Sequence, residues 1–284
     1  VSLPPLVDAR GAAAAIAAGA RAVDCRFDVV APGVESTRGE DDWRASHLPG
    51  AVYAHLDRDL ADRSVPGAGR HPLPSEAAFA ATLARWGIGP GTPVVAYDDS
   101  SGAIAARLWW LLRLAGHAPV AVLDGGIAAW RAAGLPEEST PPEVTPATHP
   151  VRFDVARVAG SDEVLALRGD PARVLLDARA APRFRGEVEP IDPVAGHVPG
   201  ALNRPFSDNL GADGRFKPTA VLRLEFEALL AGRNPRAAVL MCGSGVTACH
   251  NLLAMAHAGL DGARIYAGSW SAWIADPARP VARG

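Results

Sequence analysis

The sequence predicts an α/β protein made of two tandem domains, each a mainly parallel sheet flanked by helices. Short β-branched runs alternate with helical periods along the chain, which is the pattern of layered α/β architecture. A set of landmarks occurs twice in the same order. A proline-dense stretch separates the two sets.

Taken in order, the run Ala12–Ala20 is short, weakly apolar and flanked by Arg10 and Arg21. It reads as a small helix, not as a signal peptide or membrane span. Strands are predicted over Arg21–Asp24, Pro93–Tyr97 and Val120–Leu123. Ser75 is placed to cap a helix over Glu76–Trp86, whose Phe79, Leu83 and Trp86 share one face. Further helices are predicted over Ala103–Ala115 and Ile127–Ala132. In the second half, strands are predicted over Arg173–Leu176, Ala237–Met241 and Arg264–Tyr266. Helices are expected over Ala220–Leu230 (capped by Thr219), Val246–Ala258 and Ser271–Ala275.

The repeated landmarks are specific. Ala22-Val23-Asp24-Cys25-Arg26 returns as Leu175-Leu176-Asp177-Ala178-Arg179, and His47-Leu48-Pro49-Gly50-Ala51 as His197-Val198-Pro199-Gly200-Ala201. The strand ending at Asp98 parallels the one ending at Cys242. Leu123-Asp124-Gly125-Gly126 with Trp130 parallels Tyr266-Ala267-Gly268-Ser269 with Trp273. Between the copies, Pro136, Pro141, Pro142, Pro146 and Pro150 oppose helix and favour extended backbone. The expected organisation is an N-terminal domain over 1–134, a linker over 135–150 and a C-terminal domain over 151–284.

Composition narrows the function classes. Half of the residues are hydrophobic and the net charge is −3, so nothing points to nucleic acid or to an acidic membrane surface. Cys25, Cys242 and Cys249 have no metal-ligand spacing, which argues against a structural zinc site and a disulfide framework. Free thiols suit a reducing cytoplasm. No nucleotide fingerprint is present, and no cofactor or metal is expected.

The stretch that carries chemistry is Met241-Cys242-Gly243-Ser244-Gly245-Val246-Thr247-Ala248. A strand delivers a cysteine to its carboxyl end, where ligands bind in open α/β sheets. Glycines permit a tight turn whose N–H groups form an anion nest, and the next helix adds its positive dipole end. Such a setting stabilises a thiolate nucleophile, while a buried structural cysteine beside a glycine turn is the alternative.

These features, Asp-x-Arg, His-x-Pro-Gly-Ala, strand–loop–helix and the tryptophan-bearing end, all twice over, with a cysteine opening the second loop, resemble the tandem-domain rhodanese superfamily of sulfurtransferases. The loop Cys242 to Thr247 resembles its 3-mercaptopyruvate branch; thiosulfate enzymes of the superfamily carry Arg and Lys after the cysteine. The resemblance implies a catalytic C-terminal domain in which Cys242 becomes a persulfide cradled by Gly243, Ser244, Gly245, Val246 and Thr247. Asp98 at the corresponding place cannot form a persulfide, so the N-terminal domain is expected to be silent. The loop has no charge, so the cation for a donor carboxylate should come from outside it; the resemblance implies that Arg183 is the substrate arginine, with Arg185 close behind. The family's second arginine, before the His-x-Pro-Gly motif, is missing from Glu187–Pro193.

Ser244 is expected to bond the donor carbonyl or move a proton, and the resemblance implies that it works with His71 and an aspartate. Asp57 is the candidate, in competition with Asp59 and Asp62. His47 and His197 recur in both copies and are expected to be framework, as are the Asp24/Arg26 and Asp177/Arg179 pairs. Cys249, two helical turns beyond Cys242, is expected to be a buried small residue. The implied partners are a small-molecule sulfur donor and a thiol, cyanide or thioredoxin-like acceptor. A thiosulfate sulfurtransferase and a non-catalytic sulfur-carrier or regulatory module are the competing readings. A phosphatase of related fold is disfavoured, because Thr247 and Ala248 stand where its arginine would be.

Overall fold

The computed structural model describes residues 3–28 and 36–284. Its contacts group into two compact units. The first takes in the described residues up to Asp62, Pro74–Asp154 and Asp213–Arg215; the second takes in Arg63–Leu73, Val155–Ala212 and Phe216–Gly284.

Each unit holds one five-stranded parallel sheet. In the first, the strands are β1 (Leu6–Val7), β2 (Arg21–Asp24), β3 (Val52–Tyr53), β4 (Val94–Tyr97) and β5 (Val120–Leu123), in the order β1-β5-β4-β2-β3. In the second they are β6 (Val158–Ala159), β7 (Val174–Asp177), β8 (Leu202–Asn203), β9 (Ala238–Met241) and β10 (Arg264–Tyr266), in the order β6-β10-β9-β7-β8. The two orders are the same order, so the sequence duplication is a duplication of topology. β4 and β9 occupy the centre, and every residue in them is buried. That is why they read as unbroken apolar runs: a central parallel strand is covered on both faces.

The predicted helices are present, with shifts at their ends. Ser75 caps Glu76–Arg85 by accepting the Ala78 N–H at 3.1 Å, and Phe79 and Leu83 are fully buried. The alanine-rich helix runs over Ala9–Ala17, capped by Asp8. Thr219 is not a cap. It is the first residue of the helix Thr219–Leu230, and its hydroxyl meets His257 Nε2 at 3.1 Å. The helix Arg38–Ala45 has no apolar stripe and left no periodic signal in the sequence.

The duplicated motifs are framework. Arg26 and Arg179 each clamp the carboxylate two residues earlier: Nε lies 3.0 Å from both oxygens of Asp24, and 3.1 Å from both oxygens of Asp177. All four residues are buried, and an ion pair survives there because it is bidentate and further hydrogen-bonded. Arg26 Nη2 also donates to the Ser46 carbonyl and Arg179 Nη2 to that of Gly196. His47 Nδ1 lies 2.6 Å from the Trp43 carbonyl and His197 Nδ1 2.8 Å from that of Phe184. Trp109, Trp110, Trp130, Trp270 and Trp273 are all buried.

Candidate active site

The loop after β9 is the site's foundation. Cys242 is only 1% exposed. Its Sγ accepts the Gly245 N–H at 3.1 Å. Its own N–H donates to Ser269 Oγ at 3.1 Å, and that hydroxyl donates to the Tyr266 carbonyl at 2.9 Å. The Cys242 carbonyl accepts from Trp270 N–H and that of Gly243 from Ser271 N–H, so the loop is laced to the turn after β10. Helix Ala248–His257 follows, with its positive end toward the loop.

The two glycines act differently. Gly245 has φ +81°, and a Cβ on it would lie 2.2 Å from the Ala267 carbonyl oxygen. Only glycine fits that turn. Gly243 has an ordinary φ, and its lack of a side chain serves a close approach. A Cβ there would lie 2.8 Å from Arg70 Nη2 and 3.6 Å from Arg183 Nη2.

The first unit carries the same loop with an anion built in. Asp98 follows β4 and is fully buried. Its Oδ1 accepts the N–H groups of Ser100 and Gly102, and its Oδ2 those of Ile104 and Ala105, at 2.8–3.0 Å. Burial pushes this carboxyl above the usual carboxylate range, against the pull of those four amides. In the second unit a thiol stands where the first has a carboxylate, and the Gly245 N–H is directed at it. Gly126 has φ +55° and Ser269 has φ +52° at corresponding places. Serine costs about 1–2 kcal/mol in that left-handed conformation. Its hydroxyl, however, answers the buried Cys242 N–H. Ser269→Ala is therefore expected to cost about 1–3 kcal/mol, the cost of one buried unmet donor. Ser269→Gly should recover part of that loss. Calorimetry on both variants checks this; a Ser269→Ala protein as stable as the parent would contradict it.

His71 Nδ1 lies 2.8 Å from Ser244 Oγ, both groups buried. The segment Arg63–Leu73 packs with the second unit, and the Arg70 N–H donates to Ser271 Oγ at 3.0 Å. Arg183 reaches the loop and is held by Glu189, with Nη2 2.6 Å and Nε 3.1 Å from Oε1. Burial works to raise the Glu189 carboxyl; Arg183 and the backbone N–H groups of Asp192 and Ile191 outweigh it and hold it below the usual range. Asp192 accepts from Arg183 at 3.3 Å and also pairs with Arg70.

The structure thus brings together Cys242, Gly243, Ser244, Gly245, Arg183 and His71. Val246 is buried in the loop, and Thr247 immediately precedes the helix. Arg185 is directed elsewhere: it pairs at 2.6 Å with Glu187, both side chains about half exposed. Asp57 lies in helix Leu56–Asp59 of the first unit, where its N–H donates to His55 Nδ1. Cys249 is buried, its thiol 3.3 Å from the Gly245 carbonyl. Cys25 is buried too, and desolvation together with the charges of Asp98 and Asp24 pushes its thiol well up, which makes it inert. Sequence reading missed Arg70, Glu189, Asp192 and Ser269. The one available signal was the adjacency of Arg70 to His71.

Two stretches, residues 7–133 and 161–276, match the model of the rhodanese-like domain. The chain belongs to that family. It is 50% identical to the probable 3-mercaptopyruvate sulfurtransferase of Pseudomonas aeruginosa over 92% of each chain. It is 44% identical to the putative thiosulfate sulfurtransferase of Mycobacterium tuberculosis, over 87% of this chain and 86% of that one. The solved 3-mercaptopyruvate sulfurtransferase of Leishmania major superposes with a TM-score of 0.81 at 33% identity, covering 94% of this chain and 73% of the other. Both rhodanese-like copies are present, and Cys242 belongs to the second.

Proposed function

We propose that this rhodanese-like protein is a sulfurtransferase that moves sulfur from 3-mercaptopyruvate to an acceptor through a persulfide on Cys242. The carrying observation is where the charge lies. The loop side chains from Gly243 to Thr247 are uncharged, and the guanidinium groups of Arg70 and Arg183 stand over Gly243. A compact dianion such as thiosulfate favours cations within the cysteine loop. A 2-oxo-3-thio acid has its carboxylate some distance from its sulfur and suits cations beside the loop.

The Cys242 thiolate attacks the donor sulfur, and the donor's C–S bond breaks. That electron pair passes to the carbon and forms the enolate of pyruvate, which takes a proton to leave as pyruvate. Cysteine now carries Cys–S–SH, which ionises to Cys–S–S⁻. The Gly245 N–H and the dipole of helix Ala248–His257 stabilise the sulfur anion. Ser244, with His71 behind it at 2.8 Å, is positioned to hand the enolate its proton. The acceptor, a small thiol, cyanide or a thioredoxin-like protein, then takes the outer sulfur and restores the thiolate.

All three cysteines are unbridged. That fits work in the reducing cytoplasm. Among the described residues, no helix is long and apolar enough to cross a membrane. Steady-state rates with both donors test the donor assignment. The expected result is a larger kcat/KM for 3-mercaptopyruvate; a larger value for thiosulfate would overturn it.

A further inference from the structure

We infer that Arg70 is a donor-binding residue of this site, and that Asp192 is an internal carboxylate which occupies Arg70 until a donor carboxylate replaces it. The inference rests on the sulfurtransferase reading and extends it to specificity.

Arg183 and Arg70 both approach Gly243, but they are held differently. Arg183 is fixed by Glu189 through Nε and Nη2, and Glu189 is itself held by the backbone N–H groups of Ile191 and Asp192. Its guanidinium is already committed to a buried carboxylate, whose side chain is 3% exposed. Arg70 pairs through Nη1 with Asp192. Its Nε is buried with no hydrogen-bond partner among the described residues, and its Nη2 overhangs Gly243. The side edge of this guanidinium, Nε with Nη2, is the edge that binds a carboxylate bidentately. Among the described residues no hydrogen-bond partner meets the Nε of that edge.

Asp192 makes the exchange feasible. Its side chain is 4% exposed, and a buried carboxylate cannot be left without a counter-charge. When Arg70 turns to a donor, Asp192 keeps Arg183, 3.3 Å away. The backbone of Arg70 stays anchored to Ser271 Oγ, so only the side chain has to move. Arg70, Arg183 and Arg179 are balanced by Asp192, Glu189 and Asp177, so the cluster has no net charge without donor. The arriving carboxylate therefore competes with Asp192 for Arg70, and its loss of hydration is offset only if it wins that contact. Donors with a carboxylate at the right distance are selected, and uncharged thiol reagents gain nothing.

Two measurements test this. With 3-mercaptopyruvate, Arg70→Ala should raise KM roughly tenfold to a hundredfold, the range expected for one charge-assisted contact. Arg70→Lys should restore part of the loss, and Asp192→Asn should lower KM, because the internal competitor is weakened. Independently of turnover, the rate of Cys242 alkylation by iodoacetate relative to iodoacetamide should fall in Arg70→Ala and rise in Asp192→Asn, with the site verified by peptide mass spectrometry. An unchanged KM together with an unchanged alkylation ratio in Arg70→Ala would overturn the inference. If the parent protein does not use 3-mercaptopyruvate at all, the sulfurtransferase reading fails instead, and the alkylation ratio still decides whether Arg70 attracts carboxylates.

Discussion

Cys242→Ser is expected to abolish donor-dependent sulfur transfer, with kcat/KM falling on the order of 10⁴-fold or more, as when the nucleophile of a covalent mechanism is removed. Serine is nearly the same size, and its Oγ can accept the Gly245 N–H that Sγ accepts at 3.1 Å. Thermal unfolding should therefore stay close to that of the parent. The combination is diagnostic, because a destabilised variant would lose activity for an uninteresting reason. Retained transfer would move the nucleophile elsewhere. Cys249 is poorly placed for the role, since it is buried with its thiol turned to the Gly245 carbonyl.

Asp98→Ala should be the most damaging single change in the first unit. Three buried N–H groups, from Gly102, Ile104 and Ala105, and the part-buried one of Ser100 would lose their acceptor together. At about 1–3 kcal/mol for each unmet donor, partly relieved by entering water, the expected loss is about 4 kcal/mol or more. That is a large part of a domain's usual stability of about 5–15 kcal/mol. Asp98→Asn should also be poor, because one face of its amide would turn N–H against two donors. The transition of the first unit should fall by roughly 10 °C. Calorimetry would show it, and a shift within about 2 °C would mean that the amides find other partners. The physical point reaches the active loop. A turn in one copy that folds around a carboxylate is the kind of turn that, in the other copy, can hold a sulfur anion.

The fold was legible where strands are central and helices amphipathic. β2, β5 and β10 lie at the bounds expected for them, because runs such as Val120–Leu123 are apolar throughout and end sharply. The edge strands Leu6–Val7, Val52–Tyr53, Val158–Ala159 and Leu202–Asn203 are two residues long, too short to show any period. The turn after β9 was legible because its parts are consecutive in the chain: strand end, cysteine, turn glycines and helix start. The surrounding charges were not. Arg70 and Asp192 meet across 122 positions, and ion pairs at such distances leave no mark in a single sequence. Arg185 stood close behind Arg183 as a candidate cation. Residues two apart on the short helix Ala181–Arg185 point in different directions, so one reaches Gly243 and the other pairs with Glu187. The segment Glu187–Pro193 was notable for the arginine it lacks; its actual contribution is acidic, Glu189 and Asp192, which position the arginines that are there.

The central claim is that sulfur resides on Cys242 between donor and acceptor. The most direct measurement is mass spectrometry of the whole protein after brief exposure to 3-mercaptopyruvate, with peptide mapping. The expected result is the gain of one sulfur atom per chain, located on Cys242, released by cyanide and not formed in Cys242→Ser. No added sulfur, or sulfur located on Cys25 or Cys249, would contradict it.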